Sequence, residues 1–243
     1  LNLIKLNAID STSTFLKEMA KKSNLENYTI VVTKSQTKGR GQRESSWISE
    51  PNKNLTFSVF IKDFELLVLN QKYLNFAVCL AVFDVIKKHL NTNIFIKWPN
   101  DIMSANQKIC GILIENKIAD AKINQTILGI GLNVNQDIFP MQFKNISSLK
   151  KITGKLYDLD QLLNEIISVL KKRTQALTTD KFLKLEQEYL NVLYKKNIPS
   201  MFKTADNVLF MGKIVGVSKT GKLKIELENK TIKKFQIKEI SFA

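Results

Sequence analysis

Five short stretches hold most of the residues able to do chemistry. They are DSTS at 10–13, QTKGRGQRESSW at 36–47, KWPND at 97–101, KICGILIE at 108–115 and GIGLNVN at 129–135. The second is the most pointed, because Gly39 and Gly41 flank Arg40, and Arg40 and Arg43 are two of only three arginines in a lysine-rich chain. A glycine loop lets backbone amides approach a ligand closely, and a guanidinium forks two donors onto a phosphate or carboxylate where lysine offers a point charge. Lys97 ends an apolar strand, where a lone cation is costly unless an anion is near, so an anionic ligand group is a sensible partner. Asn100 and Asp101 follow Pro99 in a turn. A satisfied turn or a solvated strand end would explain any one of these stretches; together they read as a single constellation.

The chemistry that is missing narrows the field. His89, the sole histidine, ends an apolar helix beside two lysines, so nucleophilic mechanisms lose their usual base. Cys79 and Cys110 lie far apart inside apolar runs, which argues against a disulfide framework, and no His or Cys cluster suggests a metal site. Two glycine patterns mislead. GVSKTGKL at 216–223 places Leu223 where a phosphate-binding P-loop needs Ser or Thr and reads as a hairpin; GIGLNV and GRGQRE lack the third glycine of a dinucleotide fingerprint.

These residues need a scaffold, and 243 residues suffice for one large domain or a main domain with a small one. Apolar content of 44% and charge content of 24% are those of a soluble protein, with no membrane-length apolar run and no export signal, which fits a reducing cytoplasm. The net charge of +15 is almost entirely lysine spread over every segment, so it reads as solvated surface, suited to steering an acidic protein partner more than to binding nucleic acid. Patterning predicts strands at 2–9, 28–34, 55–61, 94–98, 108–116 and 122–134. Helices are expected after an N-cap at Asp10 or Ser11, over 71–90, about 159–176 and about 180–195, with a hairpin turn at Asn106-Gln107. From about residue 196 short β segments take over. The expected architecture is α+β, a mixed sheet packed with helices over 1–195, followed by a small β-barrel-like domain over 196–243.

The set and order of DSTS, QTKGRGQ with a downstream Trp, KWPND, KICGILIE and GIGLNVN resemble the bacterial biotin protein ligases over essentially the whole chain. The resemblance implies a synthetase-like catalytic domain followed by an SH3-like domain. It also implies ATP, Mg2+ and biotin as reactants, biotinyl-5′-AMP as a non-covalent intermediate, and a biotin carboxyl carrier protein of acetyl-CoA carboxylase as acceptor. By the same resemblance Ser11, Thr12, Ser13 and Gln36 meet the biotin head group, and Gly39, Arg40, Gly41 and Gln42 wrap the ligand. Lys97 lies against the biotin carboxylate and α-phosphate, Gly111 and Gly131 line the biotin cleft, and Arg43, Trp47, Asn100, Lys108 and Asn133 lie on the ATP side. Lys97 and Arg40 are the expected catalytic cations, and a homodimer paired along a sheet edge is a further implication.

Departures from the family pattern matter too. Gln42 and Ser45 stand where the family often has arginine, and Ser13 where it often has asparagine. The arginine changes keep open a sensor that binds biotin or adenylate without catalysis. Lipoate ligases and octanoyltransferases share the related architecture, but their arginine-plus-triple-glycine loop and following histidine are not found. The chain starts at the strand before DSTS, so a ligase without sequence-specific DNA binding is expected.

Overall fold

The computed structural model describes residues 2–42, 45–63, 65–141, 143 and 145–243. Seven strands form the main sheet: β1 (Leu3–Ile9), β2 (Thr29–Gln36), β3 (Leu55–Lys62), β4 (Ile94–Lys97), β5 (Asp101–Ser104), β6 (Gln107–Ala119) and β7 (Lys122–Leu132), in the order β1-β2-β3-β7-β6-β5-β4. Only β1 and β2 are parallel; α1 (Thr12–Lys22) supplies the crossover between them, and every other pair is antiparallel.

Strand alternation assigns the two faces. Ile30, Val59, Ile61, Leu128 and Ile130 join the main core, while their neighbours Val31, Phe60 and Ile127 pack with Leu16 and Leu25 in a smaller cluster under α1. The larger core is built on α2 (Gln71–His89), which is apolar on most of its circumference because α4 (Leu159–Gln175) and α5 (Phe182–Asn191) cover the side that the sheet does not. Arg173, the arginine outside the glycine loop, clamps these three helices through Asp84 at 2.6 Å and Glu188 at 2.8 Å.

A second, antiparallel sheet follows, built from β8 (Pro199–Thr204), β9 (Leu209–Val217), β10 (Leu223–Leu227), β11 (Ile232–Phe235) and β12 (Ile240–Phe242) in the order β11-β10-β9-β8-β12. Its Phe202, Ile214, Val217, Leu223 and Ile225 belong to the same hydrophobic cluster as α2, so the two sheets share one core. The Trp98 indole N–H also donates to the Gly221 carbonyl at 3.1 Å, tying the KWPND turn to the β9–β10 hairpin.

The α+β expectation holds, and the P-loop decoy is indeed that hairpin. Three local readings differ. Ser104 pairs with Gln107, so the tight turn is Ala105-Asn106, with Ala105 left-handed at φ 50°. TIKKFQIKEI at 231–240, which reads as one of the short β segments, divides between two strands, β11 and β12, with residues 236–239 between them. Strand β8 and the five-residue helix α3 (Leu149–Thr153) carry too few periodic residues to announce themselves; α3 is marked by its caps, Ser148 and a left-handed Gly154. No helix is long and apolar enough to cross a membrane among the described residues.

Candidate active site

A cavity of about 220 Å3 opens on the α1 face of the main sheet. Its floor is one cross-strand row, in which Thr56 pairs with Gly131, Gly131 with Gly111 and Gly111 with Asp101, and beyond the cavity the row runs on from Asp101 to Lys97. Two adjacent glycines in such a row leave a trough where side chains would otherwise stand. The Trp47 indole lies in it: a Cβ at position 131 would overlap the ring, and one at position 111 would come within 3.2 Å of it. The indole N–H is buried without a hydrogen-bond partner among the described residues, so an acceptor brought beside it would recover a bond otherwise lost.

Hydroxyls and an amide line one end. Ser11 caps α1 in place of Asp10, accepting from the Thr14 amide at 3.4 Å, because Asp10 is engaged by Thr37 at 2.7 Å and Lys38 at 3.2 Å; these partners lower the Asp10 pKa. Cap geometry turns the first residues of the helix toward the sheet. Thr12 and Ser13 are buried, and both meet the hydroxyl of Ser58 on β3, at 2.8 and 2.9 Å. Gln36 Oε1 accepts from the Thr12 amide at 2.8 Å and its hydroxyl at 3.1 Å. Ser13 Oγ fills the space beside Gly129, only 2.5 Å from where a Cβ would sit. Ser58 looks in the sequence like one residue of an apolar strand; its even spacing from Thr56 is the one local signal of its face.

Charge gathers at the other end. A register shift in the β5–β6 ladder places Ile102 opposite Cys110 and Met103 opposite Lys108, skipping Ile109. Ile109 and Cys110 consequently both enter the core, and Lys108 returns to the cavity face, 2.7 Å from Asp101. Bulges of this kind re-aim side chains beside functional sites. Lys97 stands on the same cross-strand row but one strand farther out, and it is not in the cavity wall. Its ammonium lies 5.5 Å from the centre of the Phe242 ring, and burial lowers its pKa, with Asp101 opposing that shift and Lys108 and Lys195 adding to it. Lys108 and Asp101 are thus the charged pair in this end of the wall, with Lys97 beside them on the next strand.

The glycine loop closes the roof. Gly39 accepts from the Trp47 amide at 2.9 Å and Gly41 donates to Ser45 at 2.6 Å, a small hairpin that brings Arg40, Gly41, Gln42, Ser45, Ser46 and Trp47 to the cavity. Gly39 has no room for a side chain because the Trp47 carbonyl and the Gln36 amide abut it. Arg43 lies outside the described residues. Arg40 lines the cavity, yet its guanidinium pairs with Glu115 at 2.8 and 3.2 Å. Asn100 is buried, donating to the Ile112 carbonyl, and lines the wall. Pro99 holds this turn by accepting from Asn75 at 2.9 Å and Tyr189 at 3.1 Å. Asn133 is not in the wall; its side-chain amide donates to the Ser147 carbonyl at 3.1 Å, and its side-chain Oδ1 has no partner among the described residues. Ile237 and Lys238, in the turn between β11 and β12, complete the lining, a contribution that no motif announces. Cys79 and Cys110 are buried free thiols, and burial pushes both pKa values up.

Comparison with known proteins agrees with this geometry. Residues 6–133 match the biotin/lipoate A/B protein ligase family model. The bifunctional ligase/repressor BirA of Bacillus subtilis is 29% identical over 98% of this chain and 73% of its own length. A biotin--[acetyl-CoA-carboxylase] ligase of Mycobacterium tuberculosis is 30% identical over 44% of this chain and 40% of its own. The solved structure of biotin protein ligase from Aquifex aeolicus in complex with biotin and ATP is 28% identical, covers 100% of this chain and 98% of that one, and superposes with a TM-score of 0.80. The chain belongs to the biotin/lipoate A/B protein ligase family, and the relatives it resembles along its whole length are biotin ligases.

Proposed function

We propose that this biotin ligase joins biotin to a lysine of a biotin carboxyl carrier protein in two steps. In the first, an oxygen of the biotin carboxylate attacks the α-phosphorus of ATP, forming biotinyl-5′-AMP as pyrophosphate leaves. In the second, the uncharged amine of the carrier lysine attacks the acyl carbon, an amide forms, and AMP departs with the bonding electrons of the mixed anhydride. The observation that carries this reading is the polarity of the cavity: hydroxyls and an amide at one end, a glycine trough in the middle, Lys108 and Asp101 at the other. The likeness to a ligase solved with biotin and ATP supports it.

In this scheme Ser11, Thr12, Ser13 and Gln36 meet the ureido ring, and Gly111 and Gly131 admit the bicycle and chain. The Trp47 indole, which lies in the trough, shifts off the glycines to cover the ligand, while Asn100 and Asn133 organise the adenylate end. Lys108 meets the charge that develops on the carboxylate and α-phosphate, the arrangement that most lowers a barrier when the cation is already in place. Lys97 acts at longer range, through the row it shares with Asp101. Magnesium fits as a passenger on the nucleotide, because its ligands there are mostly phosphate oxygens with one or two carboxylates, and Asp101 is the carboxylate in the wall. When bound it neutralises phosphate charge. Among the described residues no cluster of three His, Cys, Asp or Glu offers an independent metal site.

Acetyl-CoA carboxylase as the source of the carrier follows the name of the Mycobacterium relative. We also divide the chain near residue 196 into catalytic and C-terminal parts, with Lys238 the point at which the second part reaches the cavity. Mass spectrometry of an apo carrier domain incubated with enzyme, biotin and magnesium-ATP tests the assignment. One modified lysine bearing biotin is expected; an unmodified carrier under conditions that biotinylate it with a control ligase would refute it.

A further inference from the structure

The Thr56 hydroxyl is buried in the cavity wall and has no hydrogen-bond partner among the described residues. Thr56 is 5% exposed and stands on β3 opposite Gly131, so its side chain rises from the same face of the sheet as the glycine trough. Its neighbours on that face are already engaged. Ser58, two residues along β3, is held by Thr12 and Ser13 at 2.8 and 2.9 Å. Thr33, opposite Thr56 on β2, turns its hydroxyl back to the Ser35 carbonyl at 2.9 Å. A buried hydroxyl left without a partner is destabilising, and valine would fill the same shape without that cost. The fold alone therefore gives no reason for a threonine here, whereas a ligand in the cavity does.

Resting on the ligase reading, we propose that Thr56 is a specificity-determining residue whose hydroxyl donates to the ring sulfur of biotin. Biotin has three groups able to accept a hydrogen bond: the ureido carbonyl, the carboxylate and the thioether. On that reading the first lies with Thr12, Ser13 and Gln36 and the second with Lys108, at the two ends of the cavity. Thr56 belongs to neither end. It stands one side-chain step from Ser58 along β3, and three strands from Asp101 across the row. The thioether, on the side of the fused bicycle away from the ureido carbonyl, is the acceptor left for it. A thioether is a weak acceptor, but a hydroxyl that is already buried gives up no water to reach it, so even a weak bond is a net gain.

The test compares wild type with Thr56→Val, which keeps the shape and loses the hydroxyl, and Thr56→Ser, which keeps the hydroxyl. Each is titrated by calorimetry with biotin and with desthiobiotin, in which the ring sulfur is absent. In Thr56→Val we expect biotin to bind about fivefold more weakly and desthiobiotin to bind within about twofold of wild type, with Thr56→Ser within about twofold for both, the scale of one modest hydrogen bond. Urea denaturation without ligand should find Thr56→Val at least as stable as wild type, since the hydroxyl it loses has no partner. A merely structural threonine would instead make Thr56→Val less stable and weaken both ligands alike. Unchanged biotin affinity in Thr56→Val, or an equal loss for the two ligands, would overturn the proposal. Wild-type protein that binds biotin without releasing pyrophosphate from magnesium-ATP would sink the ligase reading while the sulfur contact is still decided by the titrations; wild-type protein that binds neither ligand would overturn both.

Discussion

Lys108 Nζ sits 2.7 Å from the Asp101 carboxylate because the chain skips Ile109 in the β5–β6 ladder. This bulge turns a lysine that strict alternation would send into the core toward the cavity instead. On the proposed reading Lys108 is the first cation to meet a ligand carboxylate or phosphate, ahead of Lys97. Replacing Lys108 by alanine should slow first-turnover adenylation by about 100-fold, or about 2.7 kcal/mol, the usual loss for one preorganised electrostatic partner. Lys97→Ala should cost less than about tenfold. Rapid-quench measurement of pyrophosphate ranks the two, and the reverse order would return the central role to Lys97.

Ser58 is buried beneath the start of α1 and meets the hydroxyls of Thr12 and Ser13. Ser58→Ala leaves both hydroxyls short of a partner and free to turn. We expect biotin to bind about tenfold more weakly, with the maximal rate changed less than about twofold, as for one lost buried hydrogen bond. Titration calorimetry with biotin alone measures the first and saturating-substrate kinetics the second.

Gly131→Ala would drive a methyl into the Trp47 indole. The ring must move, since the strand is fixed on both sides by its ladders to β3 and β6. A changed near-ultraviolet circular dichroism signal, and biotin affinity reduced by about tenfold or more, should accompany it. An unchanged tryptophan signal would mean that the indole does not rest on the trough.

Burial lowers the Lys97 pKa from its ordinary 10.5, so the unfolded chain holds more protons than the folded one between the two values. The charged form is thus penalised in the native state at neutral pH, and the penalty fades as pH rises through the lowered pKa toward 10.5. Lys97→Met should therefore be more stable relative to wild type at pH 7 than at pH 10, by urea denaturation at each pH. A stability difference that does not change with pH would contradict the burial of this ammonium.

Cys79 and Cys110 are sealed in the core with raised pKa values. Neither should react with a thiol reagent in the native protein, and both should react at once in denaturant, a rate contrast greater than about a thousandfold. Rapid labelling of either in the native state would show that the core around α2 opens locally.

The sequence carried more of the fold than of the site. Helix α2 and strands β2, β3, β6 and β7 were legible because long apolar runs state both their type and their burial. Strand β8 and helix α3 were not, since a few residues bounded by caps have no period. Among site residues, glycines and the Ser-Thr-Ser cap were readable from local chemistry alone. The turn of Lys108 onto the cavity face is not legible, because a single-residue bulge cannot be seen in a pattern that assumes alternation. Lys238 reaches the cavity from the C-terminal part and Ser58 supports its hydroxyls from β3, placements set by long-range packing that no local signal encodes.

Pyrophosphate release from purified protein given biotin and magnesium-ATP, with and without an apo biotin carrier domain and with lipoate in place of biotin as control, tests the ligase assignment most directly. Biotin-dependent release limited to about one equivalent without carrier, turning over when carrier is added, and absent with lipoate, is the predicted result. Measurable biotin binding with no pyrophosphate release under any of these conditions would contradict it, and would make the protein a binder that does not catalyse.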